Sequence, residues 1–394
     1  MKILMINDIG SEFAGAETVI QNTSKELRRK GHTVKILSGN EYYSEKRIND
    51  FEFKSFSDKS FLRLIFYIFN PYSFLKLKKI LNDYQPDVIH IHNNRKASSS
   101  ILFLLKKYPT ILSIHDYMLI DPTHISNNKL LAKYKKYFKG YYVSKKIFIR
   151  FYWEKVRFLI FKMLINNIDI FVFCSDYIKN VYLSEYSTIN SITIYNGVYI
   201  NKYTPYSQNN TKSIMYIGRL EEKKGIFYLL KSFENINNID SNIKLTIVSS
   251  GKYDKNIKEL IVHHRLKKNI KLFFNIPHYD INKYYRQSSI VVVPSLWPEP
   301  LGMVGLEAMR NGIPVIATKV GGIPEWLNDG KTGFLIEPKN QKQIAEKVII
   351  LFKDKELMNR MSIEAKNKVK KFSIEKQVER LEEVYISTIE KYIN

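Results

Sequence analysis

The chain has 394 residues, 45% of them apolar and 13% aromatic, enough to fill two cores of ordinary domain size and to offset the chain entropy that leaves poorer sequences disordered. A formal charge of +24, from 62 Lys and Arg against 38 Asp and Glu, asks for an anionic partner. The single cysteine, Cys174, excludes an intramolecular disulfide framework and a cysteine-based metal cluster, and it suits a reducing compartment.

The first apolar run, Lys2 to Asn7, is too short for a secretory signal and reads as a strand entering a loop. Val34 to Ser38, Val88 to His92, Thr110 to His115 and Ile168 to Cys174 are further strand-like runs separated by helical patterns, as in a doubly wound α/β sheet. Asn196-Gly197, Pro205 and the polar run Ser207 to Lys212 suggest a boundary. The alternation restarts with Ile214 to Ile217, Lys244 to Ser249, Ile270 to Phe274, Ser289 to Pro294 and Pro314 to Thr318. The expected organisation is a first α/β domain over 1–195, a second over 196–373 and a final helix within 374–394. No apolar run reaches about 18 residues free of charge, so a spanning helix is not expected and a cytoplasmic protein is.

Two stretches carry chemistry. Gly218-Arg219-Leu220-Glu221-Glu222-Lys223-Lys224-Gly225 follows one apolar run and precedes a helical one, so two cations fall where a strand ends and a helix begins. In open parallel sheets that edge binds ligands, and Arg219 can fork onto phosphate oxygens while Lys224 adds a point charge. A solvated charged turn is the plain alternative. In Trp297 to Glu325, Pro298 and Pro300 disfavour helix around Glu299, whereas Met303 to Arg310 has helical apolar spacing. Glu307 then stands roughly 7 to 8 Å along the helix from its start, about the reach from a diphosphate to a ribose. The free N–H groups of Gly302, Met303 and Val304, with the positive end of the helix dipole behind them, would face phosphates, and Gly302 would let the backbone come close. A buried helix with solvated glutamates is the alternative here.

Together these stretches resemble glycosyltransferase family 4, retaining enzymes of the two-domain GT-B fold. The likeness continues through Lys2 to Asn7 with Gly10 to Glu17, Gly31-His32-Thr33-Val34, Pro86 to His90, Ser113 to Tyr117, Asn196-Gly197-Val198 and Asp329 to Phe334, in the family's order. It implies two Rossmann-like domains facing across a cleft, with the final helix crossing back to the first. It also implies a sugar transferred from a nucleotide diphosphate, with a UDP-sugar favoured over GDP-mannose, to a saccharide or lipid-linked acceptor in bacterial-type surface polysaccharide or glycolipid synthesis. By position, Arg219 and Lys224 would bind the diphosphate, Glu307 the ribose, Glu299 the sugar hydroxyls, and His115 would lie near the sugar and diphosphate. Gly15 and Asn275 occupy donor-binding positions. Departures are Ala14-Gly15 for a frequent Gly-Gly, Ser249-Ser250-Gly251 for Gly-x-Gly, Asn275 for a glycine beside the base, and Tyr199 for an acid after Asn-Gly-Val. A nucleotide-sugar epimerase of the same architecture and a noncatalytic donor-binding subunit remain alternatives.

No Asp-x-Asp occurs, so the carboxylate pair that would clamp a diphosphate through a divalent metal is missing, and no metal or other cofactor is expected. His263-His264 and the pair His90 and His92 lack a ligand set. Gly330-Lys331-Thr332 fails as a phosphate loop because Glu325 stands where the first glycine belongs. From Asn128 to Met163, eleven Lys or Arg stand against one acid, Glu154, among many aromatics. That mixture suits a peripheral seat on an anionic membrane surface at the inner face of the cell membrane, and Phe61 to Ile80 is a second such stretch. Aromatics at helical spacing also form cores, with lysines snorkelling over them. No zinc spacing, ribonucleoprotein motif or recognition-helix pattern points to nucleic acid.

Overall fold

The structure is a computed structural model that describes residues 1–11, 15–41, 47–56, 62–120, 128–137, 147–200, 212–249, 268–277 and 280–393, the side chains of 62–64 and 147–154 excepted. Ala14, the Pro205 to Thr211 stretch, Ser250-Gly251 and His263-His264 therefore lie outside the described residues. The chain forms two compact units, Met1–Gly197 with Ile374–Asn394, and Val198–Ser373.

In the first unit the described strands are β1 (Lys2–Asn7), β2 (Thr33–Gly39), β3 (Phe51–Phe53), β4 (Val88–Ile91), β5 (Thr110–Ile114), β6 (Ile170–Phe173) and β7 (Ser191–Thr193). They pair in the order β3-β2-β1-β4-β5-β6-β7, parallel throughout, with Met5 facing Ile36 on one side and His90 on the other. Ile3 to Ile6 are fully buried, which explains why β1 reads as an unbroken apolar run: a parallel sheet is covered on both faces. The helix Gly15–Arg29 returns the chain from β1 to β2, burying Val19, Ile20 and Leu27.

The last helix, Ile374–Ile393, belongs to this unit and packs on the Gly15–Arg29 helix and on β4. Gln377 fixes its start, accepting from the Gly197 N–H at 2.7 Å and donating to Thr23 Oγ1 at 3.3 Å. Glu382 fixes its middle, taking Lys30 at 2.5 Å and His32 at 2.7 Å.

The second unit repeats the plan with β8 (Ser213–Ile217), β9 (Lys244–Ser249), β10 (Ile270–Phe274), β11 (Ile290–Val293), β12 (Val315–Thr318) and β13 (Gly333–Ile336), in the order β10-β9-β8-β11-β12-β13 and again parallel. Its core is aliphatic, built on Ile214, Leu245, Ile247, Ile290, Val292 and Ile316 under the helices Ile226–Ile239 and Gln341–Lys353. In each unit the first strand lies beside the fourth, and the chain leaves these two in opposite directions. That is the switch point at which doubly wound sheets open a crevice. The doubly wound α/β class is the one expected from the alternation; β3, β7 and β13, of three or four residues each, were not read from it.

Candidate active site

In the second unit both charged stretches fall at the switch point, one after β8 and one after β11. The turn after β8 is closed by Gly225, at φ 73°, where the helix Ile226–Ile239 begins. A β-carbon there would lie 1.8 Å from the Pro294 carbonyl oxygen, so only glycine lets this turn meet the end of β11. The Leu296 N–H donates to the Lys223 carbonyl at 2.8 Å and ties the two loops together.

That tie sets the side chains. Lys224 Nζ donates to Glu299 Oε1 at 2.7 Å, and Ser295 Oγ donates to the same oxygen at 2.5 Å. Lys223 and Lys224 also lie over the Trp297 ring, at 4.9 and 5.4 Å from its centroid. Glu299 is buried, which alone would push its carboxyl up, but Lys224, Ser295 and Trp297 together hold it below the usual carboxylate range. The sequence reading gave Lys224 to a diphosphate and Glu299 to sugar hydroxyls as separate roles; the structure joins them in one ion pair. Arg219 is half exposed and forms an ion pair with Glu221 at 2.9 Å. Its carbonyl accepts from the buried Tyr216 hydroxyl at 2.9 Å, which anchors the turn.

The helix Met303–Arg310 starts three residues after Glu299 from Gly302 at φ 91°, with no side-chain cap. The nearest atom to an added β-carbon at Gly302 would be Ile323 Cγ1 at 3.4 Å. The left-handed conformation by itself asks for glycine, independently of the close backbone approach that the sequence reading assigned to it. Met303 and Val304 open the first turn, so their N–H groups lie at an uncapped helix end, the arrangement that suits an anion. Glu307, one turn further in, is buried and accepts from the Tyr285 hydroxyl at 2.9 Å. Asn275 follows β10 at φ 52°, and its N–H donates to the Ser249 carbonyl at 2.9 Å. Glycine is frequent at such a left-handed position, and asparagine is the side chain that tolerates it best.

Three supports of this site were missed in the sequence. Gly321, at φ 57°, lies so close that a β-carbon would sit 2.1 Å from the Glu299 carbonyl oxygen, and the Gly322 N–H donates to that oxygen at 2.8 Å. Trp326 fills the space that Gly305 leaves and donates to the Leu301 carbonyl at 2.6 Å. Tyr285 holds Glu307. The Gly-Gly pair was the one legible signal, since glycines after a buried strand mark close backbone approach.

In the first unit His115 follows β5 and His92 follows β4. Their rings are parallel, with His92 Nδ1 and His115 Nε2 at hydrogen-bond distance, 3.1 Å. His90 lies between the Tyr385 hydroxyl at 2.6 Å and Ser113 Oγ at 2.7 Å. Burial pushes the His115 imidazole down to about 4, and burial with the neighbouring histidines takes His90 to about 3 and His92 well below its ordinary value. All three are neutral at pH 7. Burial raises Asp116 to about 6. Asp8 accepts the N–H groups of Arg95, Lys96 and Ala97 at 3.0, 2.8 and 3.3 Å, yet burial still raises its carboxyl. Asp8, His92, Asn94, Arg95, His115 and Asp116 line one small cavity; of these the sequence reading had singled out His115 as a site residue. Gly15, at the start of its helix, is exposed with open space around its α-carbon.

Two facing loops at the switch point of a doubly wound sheet, joined by an ion pair beside an uncapped helix N-terminus, make an edge suited to an anionic ligand. The profile described as Glycosyl transferases group 1 matches residues 204–368, and that described as Glycosyltransferase Family 4 matches residues 13–202. The chain belongs to glycosyltransferase family 4. It is 36% identical over 225 residues to an uncharacterized glycosyltransferase of Methanocaldococcus jannaschii, covering 57% of this chain and 61% of that one, and so less than two thirds of that relative's length. It is 28% identical to a 42.6 kDa protein from the cps region of Klebsiella pneumoniae, over 82% of this chain and 87% of that one. Among solved structures, sucrose-phosphate synthase from Thermosynechococcus elongatus superposes with a TM-score of 0.76 at 18% identity, covering 99% of each chain. Anabaena HepE in complex with UDP-glucose gives 0.68 at 18%, over 98% of this chain and all of that one. At these identities the structures share the fold.

Proposed function

We propose that the protein is a retaining glycosyltransferase that moves a sugar from a nucleotide diphosphate, a UDP-sugar in preference to GDP-mannose, to a saccharide or lipid-linked acceptor in surface polysaccharide or glycolipid synthesis. The observation that carries this reading is the Lys224–Glu299 pair three residues before an uncapped helix end. Lys224, Arg219 and the amides of Met303 and Val304 meet the charge that grows on the departing diphosphate, the task that a metal performs where an Asp-x-Asp pair is present. Glu307 takes the ribose hydroxyls, its orientation fixed by Tyr285. Asn275 lies beside the base. Glu299 is already held by Lys224 and Ser295, which suits a residue that orients sugar hydroxyls better than a nucleophile, and so favours same-face attack over a covalent intermediate. His115, neutral at pH 7, offers a hydrogen bond to the sugar without a competing charge. Support for uridine comes from HepE, solved with UDP and with UDP-glucose.

A thermal-shift panel of UDP, GDP, ADP and CMP, with and without chelator, tests this, because ligand at about 100 times its Kd stabilises by about 2.7 kcal/mol. UDP is expected to shift the wild type alike in both conditions, and Lys224→Ala or Glu307→Ala to lose both the shift and turnover. Activity lost in chelator and restored only by a divalent ion would sink metal independence. Wild-type rates in both variants would remove the site assignment.

A further inference from the structure

The two basic aromatic stretches singled out in the sequence converge in the first unit. The helix Leu62–Ile68 packs on the helix Ile147–Leu164, and both pack on the 3-10 turn Ser99–Leu104, as does the helix Pro71–Tyr84. Their inner faces carry the aromatics: Tyr67, Phe158 and Phe161 are buried, as is Tyr134. Those aromatics are core, and Phe138 to Trp153 lie outside the described side chains.

The outer faces are apolar in another way. Val156, Leu159 and Met163 form a stripe at helical spacing, with Leu159 59% and Met163 78% exposed. Tyr72 and Leu75 repeat the pattern on one neighbouring helix, Ile65 stands on the other with Phe69 just past its end, and Phe103 stands out from the turn. Half of the large exposed apolar side chains of the described residues thus belong to four elements that pack on one another, with Phe69 directly after one of them, whereas soluble surfaces scatter them singly. Cations accompany them. Lys76, Lys78 and Lys79 follow Leu75, Lys106 and Lys107 follow Phe103, and Lys162 precedes Met163, while 62–82, 99–107 and 155–168 contain no acid.

We propose that this face docks on an anionic lipid bilayer, with the aliphatic tips entering the headgroup boundary and the lysines meeting lipid phosphates. Charge decides the occupant. A second copy would bring together two lysine-rich faces in which Glu154 is the one acid of the helix Ile147–Leu164, which like-charge repulsion opposes. Lysine is depleted at protein interfaces, whereas each one near an anionic leaflet contributes about 1 kcal/mol, or about fivefold in binding. The inference rests on the Proposed function only for its use, a lipid-borne acceptor; the face itself is independent of which nucleotide binds.

Flotation of the whole protein with vesicles tests it, comparing phosphatidylcholine alone with phosphatidylcholine containing about 30% phosphatidylglycerol, at about 0.1 M and about 1 M salt. Flotation is expected with the anionic vesicles at low salt and release at high salt. The double variants Leu159→Glu/Met163→Glu and Lys76→Glu/Lys79→Glu are each expected to bind at least about tenfold more weakly, with unchanged Tm and unchanged UDP shift. Ile363→Glu, an equally exposed change in the second unit, is expected to float like the wild type. Absence of wild-type flotation, flotation indifferent to both double variants, or a wild-type dimer in sedimentation that these variants dissolve would each overturn the proposal. The UDP shift, read on the same samples, separates its failure from failure of the donor reading.

Discussion

Glu299 is held from three sides, by Lys224, by Ser295 and, through its backbone, by the Gly321-Gly322 pair. The last support is the easiest to isolate. Gly321 and Gly330 both have positive φ, but a β-carbon at Gly330 meets nothing within 4 Å, whereas at Gly321 it meets the Glu299 backbone. Gly330→Ala should therefore cost only left-handed strain, about 1–2 kcal/mol, and leave turnover intact. Gly321→Ala should displace the Glu299 loop and abolish UDP binding at a greater loss of stability. Urea denaturation with UDP titration checks both, and equal effects would deny Gly321 its special place. The polar residues of this site were legible because Pro, Gly and charge fall at strand ends, where little else explains them. Tyr285 and Trp326 were not, since a buried aromatic on a helix gives no local sign that its hydroxyl or indole N–H has a distant partner.

At the scale of elements, the strands covered on both faces stood out as continuous apolar runs, and most begin and end within two residues of the expected limits. The short strands β3, β7 and β13 carry no such run, and their pairing comes from the sheet they join. Helix starts were partly hidden for a related reason. Asn70 caps the helix Pro71–Tyr84, accepting from the Tyr72 and Ser73 N–H groups while its own amide donates to the Lys54 and Lys96 carbonyls. An Asn-Pro pair announces the cap, but not the two loops gathered behind it. Asn70→Ala should cost more than an ordinary cap, about 2–3 kcal/mol, because buried carbonyls lose their donor as well. Asn70→Ser, which keeps the cap alone, should recover only part. Chemical denaturation of the two variants measures the difference, and equal stability would mean that the loop contacts contribute nothing.

For the whole molecule, buried titratable groups set how stability follows pH. An imidazole kept neutral in the fold but free to protonate in the unfolded chain makes the unfolded chain bind more protons below 6.5, so stability falls as pH falls. For His115 the loss is complete near 4 and for His90 near 3, while His92 acts in the same direction. Asp116, raised from 3.8 to about 6, and Asp8 act oppositely, since their ionised forms are penalised at neutral pH and relieved on acidification. The histidines should prevail, and His90→Gln should flatten the decline below 6.5 by up to about 1.4 kcal/mol per pH unit. Urea midpoints measured across that range test it; parallel wild-type and variant curves would remove His90 from the account.

Cys174, the one thiol in the chain, sits at the end of β6 and is 3% exposed. A thiol reagent therefore reaches it only when the first unit opens, so the rate of labelling is a clock for that unit alone. The second unit has no cysteine to confuse the reading. A nucleotide held by the second unit can then be asked, without mutation or tag, whether its presence is felt in the opening of the first.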